Sequence, residues 1–151
     1  MFYIFKQLRR FLITLVAVGF GYINQAWGET GNGTSNRLFI ISIGVNEYKD
    51  TFWPNLKWAA TDADRFAKSI GTGTSQQRIT RLLINQEANL ENVRATLQKI
   101  ARGVRPDDHV LLYLSSHGTL KMGTTGEFEP VVVLNDTKNN QLLSTGLAHS
   151  E

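Results

Sequence analysis

Residues 37–45, RLFIISIGV, form a run of apolar, largely β-branched side chains with no charge after Arg37 and no polar alternation. A strand wetted on one face alternates apolar and polar side chains, whereas a run like this one belongs to a strand covered on both faces. The chain supplies the covers. Leu56, Ala59, Ala60, Ala63, Phe66, Ala67 and Ile70 recur at three- and four-residue steps and fall on one helical stripe. Gly71 is placed to stop that helix. A second strand is expected over 78–84, RITRLLI. Asn89 can cap a second helix whose stripe is Leu90, Val93, Leu97, Ile100 and Ala101, with Gly103 at its end. The segment RPDDH then turns the chain into a third strand, 109–115, with Asp107 and Asp108 read as turn residues. PVVVL, 130–134, reads as a fourth strand.

Strand and helix in alternation imply right-handed crossovers and a mostly parallel sheet with helices on its faces, an α/β domain. Ligands of such sheets collect beyond the carboxyl ends of the strands. GVNEYKD, INQEAN and SSHG, each following a strand, would share that edge. His117 lies in the last of them. A histidine at a strand end is often an ordinary half-buried residue, but here the preceding apolar strand fixes its position. Gly118 follows without a side chain, so a carbonyl group can approach its backbone N–H. Trp53 and Trp58 flank Pro54 and serve either the core or the rim of such a groove.

The formal net charge is +3, and Lys6, Arg9 and Arg10 account for all of it. The neutral remainder gives no support for nucleic-acid binding or for attraction to anionic membranes. Those three cations precede an uncharged run, 11–23, and small residues at Ala26 and Gly28, the pattern of a secretory signal peptide over 1–28. The rival is an uncleaved anchor, but the run is short of the roughly 20 apolar residues that span a bilayer and is broken by Gly19 and Gly21. The expectation is a secreted or periplasmic protein with no stable membrane association after cleavage. Residues 29–36 read as a flexible leader and 37–151 as the domain. With no cysteine in the chain, no disulfide can form, and stability must come from burial.

RLFIISIGVNEYKD, LKWAATDADRF, NLENVRATLQKI, DDHVLLYLSSHG and VVVLND, in that order, together resemble the first half of a caspase-like (metacaspase-type) peptidase domain. The resemblance runs from about Arg37 to the last residue, and the strand-then-HG element is its most specific part. It implies a three-layer α/β sandwich and peptide-bond hydrolysis by a Cys–His dyad. On it, His117 corresponds to the dyad histidine, which assists attack by the thiolate and protonates the leaving amine. Gly118 corresponds to the residue whose backbone N–H helps form the oxyanion hole. Asp62 corresponds to the carboxylate that receives a basic P1 side chain, giving an Arg or Lys preference, with Asp64 as a nearby competitor. No cofactor and no metal are implied. Ser116 departs from the family's Ser-Gly-His-Gly pattern.

A larger departure is the nucleophile. Caspase signatures put the cysteine about 50 residues after the histidine, and 34 residues follow His117 here. The expectation is therefore a domain incomplete at its C-terminus, catalytically inactive by itself, with the missing half on a longer polypeptide or a partner chain. An internal serine hydrolase is disfavoured, since Ser115, Ser116, Ser144 and Ser150 lie in no nucleophile-elbow motif. His109 opens the third strand at its far end, and His149 lies in the tail. Two other readings stay open. One is a non-catalytic pseudo-peptidase that binds peptides through the groove and Asp62. The other is an unrelated small α/β binding protein.

Overall fold

The computed structural model describes the backbone of residues 11–17 and, in full, residues 36–70, 72, 77–122 and 126–148. Its elements are β1 (Phe11–Ala17), β2 (Arg37–Gly44), α1 (Ala59–Ser69), β3 (Gln77–Ile84), α2 (Leu90–Gly103), β4 (His109–Met122), β5 (Phe128–Val132), α3 (Leu142–Thr145) and β6 (Leu147–Ala148). The domain is α/β, as its alternating pattern requires. β2 pairs in parallel with β3 on one side and β4 on the other, while β5 and β6 continue the sheet antiparallel. Of the segment read as a signal peptide, residues 1–10 and 18–28 lie outside the described residues. Residues 11–17 run antiparallel to β4, from Phe11 opposite Gly118 to Ala17 opposite Leu112. Residues 29–35 of the leader, 29–36, lie outside the described residues, as do Gly71 and His149.

β2 is buried along nearly its whole length, with Ile40, Ile41 and Ile43 at 0–1% exposure. Its two faces meet different helices. Phe39, Ile41 and Ile43 join Leu114, Leu90, Val93 and Ile100 in a core under α2. On the opposite face, the Ser42 hydroxyl donates to the Ala63 carbonyl at 2.7 Å, and Phe66 of α1 stacks on Tyr113 of β4 at 4.4 Å. The helices thus lie on opposite faces of the sheet. Gly44 permits the close approach of α1, since a Cβ there would lie 2.4 Å from the Ala59 carbonyl oxygen and 2.7 Å from the Ala63 Cβ.

Helix starts follow the sequence partly. Asn89 caps α2 as expected, its side chain accepting from the Asn92 N–H at 2.9 Å. The helical stripe beginning at Leu56 overreaches, because α1 starts at Ala59 and Leu56 instead donates its N–H to the Asn46 carbonyl. Trp58, the residue before the helix, offers no capping side chain; Asn46 Oδ1 reaches across to accept from the Ala60 N–H at 2.9 Å.

Two strand expectations need correction. The third strand does not stop at residue 115 but runs through His117 and Gly118 to Met122, because β5 folds back on it as a hairpin. The fourth strand is antiparallel and begins at Phe128, earlier than expected. A connection this short cannot make the crossover that parallel neighbours need.

Asp108 does more than turn the chain. It accepts from the Arg105 N–H, from the Arg37 N–H and from two nitrogens of the Arg37 guanidinium, tying the first residue of β2 to the start of β4. Those donors, the Arg37 side chain foremost, hold the Asp108 carboxyl well below the usual carboxylate range. A depressed carboxylate contributes stability above its unfolded pKa, about 3.9, and the contribution is lost as pH falls below that value toward the folded one. The melting temperature should therefore fall below about pH 4, and Asp108→Asn should flatten that acid limb while lowering the melting temperature at neutral pH. Thermal melts from pH 2 to 7 measure both. Gly44→Ala should cost about 1–3 kcal/mol in denaturant unfolding, because helix and strand must separate to admit the methyl group.

Candidate functional site

The three segments expected at the carboxyl edge of the sheet do meet there. The chain leaving β2 stays bonded to its neighbours, with the Val45 N–H donating to the Ser115 carbonyl at 2.9 Å and the Asn46 N–H to Asn85 Oδ1 at 2.8 Å. Asn85 adopts a left-handed conformation, φ 47°, to present that oxygen. Residues after β5 close the group. Asn135 donates its backbone N–H to the Ala88 carbonyl and its Nδ2 to the Glu47 carbonyl, and it accepts from the Lys49 N–H. Asp50 takes the N–H groups of Asn139 and Phe52, which hold its carboxyl below the usual range.

His117 lies at the centre of this edge and is 7% exposed. The Ser115 and His117 carbonyls, two residues apart on a strand, point to the same edge of β4; the first accepts from Val45 after β2 and the second from Val133 after β5. Alternation places the His117 side chain on the face of Tyr113 and α1. Its ring packs near those of Tyr48 and Trp53, with centroids 5.1 and 6.1 Å away. Nε2 is 2.7 Å from the Pro54 carbonyl oxygen. A carbonyl only accepts, so Nε2 carries the proton, and in the neutral ring Nδ1 keeps a lone pair. The backbone N–H of His117 donates to the Tyr48 hydroxyl at 3.0 Å.

The sequence reading places His117 just past a strand ending at residue 115, with its position fixed by that strand; the structure holds it inside β4. Gly118 is also in the strand, opposite Val132. Its neighbour's carbonyl is taken by Val133, so alternation turns the Gly118 N–H toward the other edge, where β1 pairs. Ser116 is accommodated in extended backbone, its hydroxyl 3.0 Å from the His117 carbonyl.

Asp62 is half-buried on the first turn of α1, and its carboxylate has no partner among the described residues. Four residues separate it from Phe66, so it shares the flank of the helix that faces β4. It sits one turn, about 6 Å, nearer the carboxyl edge. His117 and Asp62 therefore lie on one face of the sheet and toward one edge. Asp64 is bound to Lys68 by a 2.7 Å surface ion pair, which leaves Asp62 as the free carboxylate of the two. His109 is at the opposite end of β4, as expected, beside Leu38.

Two contributors were not singled out from the sequence. Tyr48 and Pro54 act through a hydroxyl and a carbonyl that no spacing advertises. Trp53 proves to be core as well as rim, packed against Val133 and Leu142 beside the histidine, and its indole N–H is buried without a partner among the described residues. Trp58, by contrast, is 57% exposed.

Two surface grooves, one lined by Arg81, Asn92, Thr96 and Lys99 and the other by Arg94, Gln98 and Leu147, lie against α2 and touch none of His117, Gly118 and Asp62. No group of metal-ligating side chains occurs among the described residues. No helix among them is long and apolar enough to cross a membrane. Comparison with protein-family models, curated proteins and solved structures finds no match.

Asn85 provides a direct test of how this edge is held. Asn85→Ala should cost about 1–3 kcal/mol, by orphaning the Asn46 N–H and by replacing asparagine with a residue that tolerates the left-handed region less well. Asn85→Gly should cost about 1 kcal/mol less, since only the hydrogen bond is lost. Urea unfolding of the two variants separates the contributions.

Proposed function

We propose that the chain is the histidine-bearing part of a caspase-like cysteine endopeptidase of three-layer α/β fold. The observation that carries this reading is the bond from Nε2 of His117 to the Pro54 carbonyl, which leaves Nδ1 as the base. The unpaired Asp62 carboxylate on the same face supports it. The chain has no cysteine, so the thiol belongs to residues outside these 151, further along the polypeptide or on a partner chain.

Nδ1 takes the thiol proton, and the thiolate attacks the scissile carbonyl. The Pro54 oxygen, opposite the proton on Nε2, favours the imidazolium that results. Negative charge on the tetrahedral oxygen is met by the Gly118 N–H, once β1 no longer lies along that edge. Nδ1 then gives its proton to the departing amine, and water hydrolyses the thioester. Asp62 receives an Arg or Lys side chain by a charge-assisted contact. The substrate is a peptide or protein, and secretion follows from the signal-like N-terminus.

Because His117 is 7% exposed and its ring is contacted by Tyr48, Trp53 and Pro54, a scissile bond reaches Nδ1 when the 45–58 segment yields. The 151-residue chain alone should show no turnover. The test joins these residues to whatever their gene encodes after Glu151 and assays fluorogenic peptides with Arg, Lys or Asp at P1. Arg and Lys substrates should be cleaved, and His117→Ala should lower kcat/KM by about 10²–10⁴. Asp62→Asn should lower it about ten- to hundredfold for basic P1 alone. Undiminished turnover in His117→Ala, or a complete polypeptide without cysteine, removes the peptidase reading.

The absence of cysteine favours one alternative, a non-catalytic peptide-binding module. Calorimetric binding of an Arg-containing peptide to the 151-residue chain, abolished by Asp62→Asn and without hydrolysis by the complete polypeptide, selects it.

A further inference from the structure

We infer that Tyr48 is a positioning residue for His117, its hydroxyl extending the sheet's hydrogen-bond ladder past the end of β2; the inference rests on His117 being the base. The paired segment of β2 ends at Gly44, opposite Ser115, and the last backbone bond between the two chains joins the Val45 N–H to the Ser115 carbonyl. The next N–H of β4 on that edge belongs to His117, where no backbone carbonyl of β2 is in reach. Tyr48 fills the gap. Its hydroxyl accepts from the His117 N–H at 3.0 Å and donates to the Val45 carbonyl at 3.0 Å. One phenol oxygen thus bridges the last residue bonded from β2 to the residue that carries the imidazole.

The same side chain meets the imidazole itself. Its ring lies 5.1 Å from that of His117, tilted by 39°. Backbone and ring of the histidine are therefore fixed by one residue, and the Nε2 contact to Pro54 has the stable base it needs. Burial raises the pKa of the Tyr48 hydroxyl to about 12, so it keeps its proton at neutral pH. The His117 N–H and the Val45 carbonyl are both bonded by this one hydroxyl. Without it, the His117 N–H and the Val45 carbonyl are both left in a buried setting.

The experiment is nitrogen-15 NMR of the histidine rings and amides in the 151-residue chain, with His117→Gln to assign the His117 signals among the three histidines. In the unmutated chain, the His117 ring should be the Nε2–H tautomer, and its amide should exchange as slowly as those of Tyr113 and Ser115. Tyr48→Phe keeps the ring and removes the oxygen. It should speed exchange at the His117 amide about tenfold or more, with Tyr113 unchanged, and mix the two tautomers. A purely structural Tyr48 would lower the melting temperature and leave the tautomer alone, and that result overturns the inference. If Tyr48→Phe fails to fold, the unmutated chain decides, since fast exchange at the His117 amide overturns the inference equally. An Nδ1–H tautomer in the unmutated chain defeats the base reading of His117 instead, so the two failures are distinct.

Discussion

The register between β2 and β4 fixes every distance at the candidate site. β2 has no solvent face, and each fully buried branched side chain along it is worth roughly 1.5–3 kcal/mol relative to exposure. A slip of one residue would exchange the face under α2 for the face under α1 and place Ser42 and Gly44 against a core built for Ile41 and Ile43. With that register set, Gly44 falls opposite Ser115, and the first residues after β2 emerge beside the last buried residues of β4. Tyr48, Trp53 and Pro54 then have little choice but to close over His117.

The parts of this arrangement that depend on local pattern were legible. The apolar run of β2, the alanine-rich stripe of α1 and the Asn89 cap each follow from side chains within a few residues of one another. What depends on pairing was not. Asp108 looks like any turn aspartate until β4 is laid beside β2, and only then does it fall next to Arg37. The small polar residues Ser115, Ser116, His117 and Gly118 resemble a strand end because they lack bulk, yet β5 keeps them extended by pairing back along Gly118–Met122. The hairpin had a readable signal, since the 13 residues between His117 and Val131 carry no helical stripe from which a crossover could be built. The Pro54 carbonyl had none, because a backbone acceptor is invisible in the identity of its residue.

The two long edges of the sheet are defended differently. β3 presents exposed Arg78 and Arg81, charges that discourage a further strand. Between His109 and Lys121, β4 has no charged residue and no proline, so the edge to which Gly118 turns its N–H is composed like the interior of a sheet. β1 takes that edge over residues 112–118. A strand of this composition is stable only when something pairs with it, and whatever pairs there also lies along the backbone on which the proposed chemistry depends.

Enclosure of His117 carries its own weakness. The contacts that orient the ring come from a segment, 45–58, fastened mainly by single polar bonds through Asn46, Asp50 and Asn135. Beyond Val45, which is fully buried where the segment leaves β2, its deep apolar anchor is Trp53, set against Val133 and Leu142. That anchor is compromised, because its indole N–H is buried with no acceptor among the described residues. Such a donor costs about 1–3 kcal/mol relative to water. Swinging Trp53 outward restores a hydrogen bond to solvent and offsets part of the apolar area it gives up. Among the side chains packed around His117, Trp53 thus has a buried donor that gains a partner by moving into solvent.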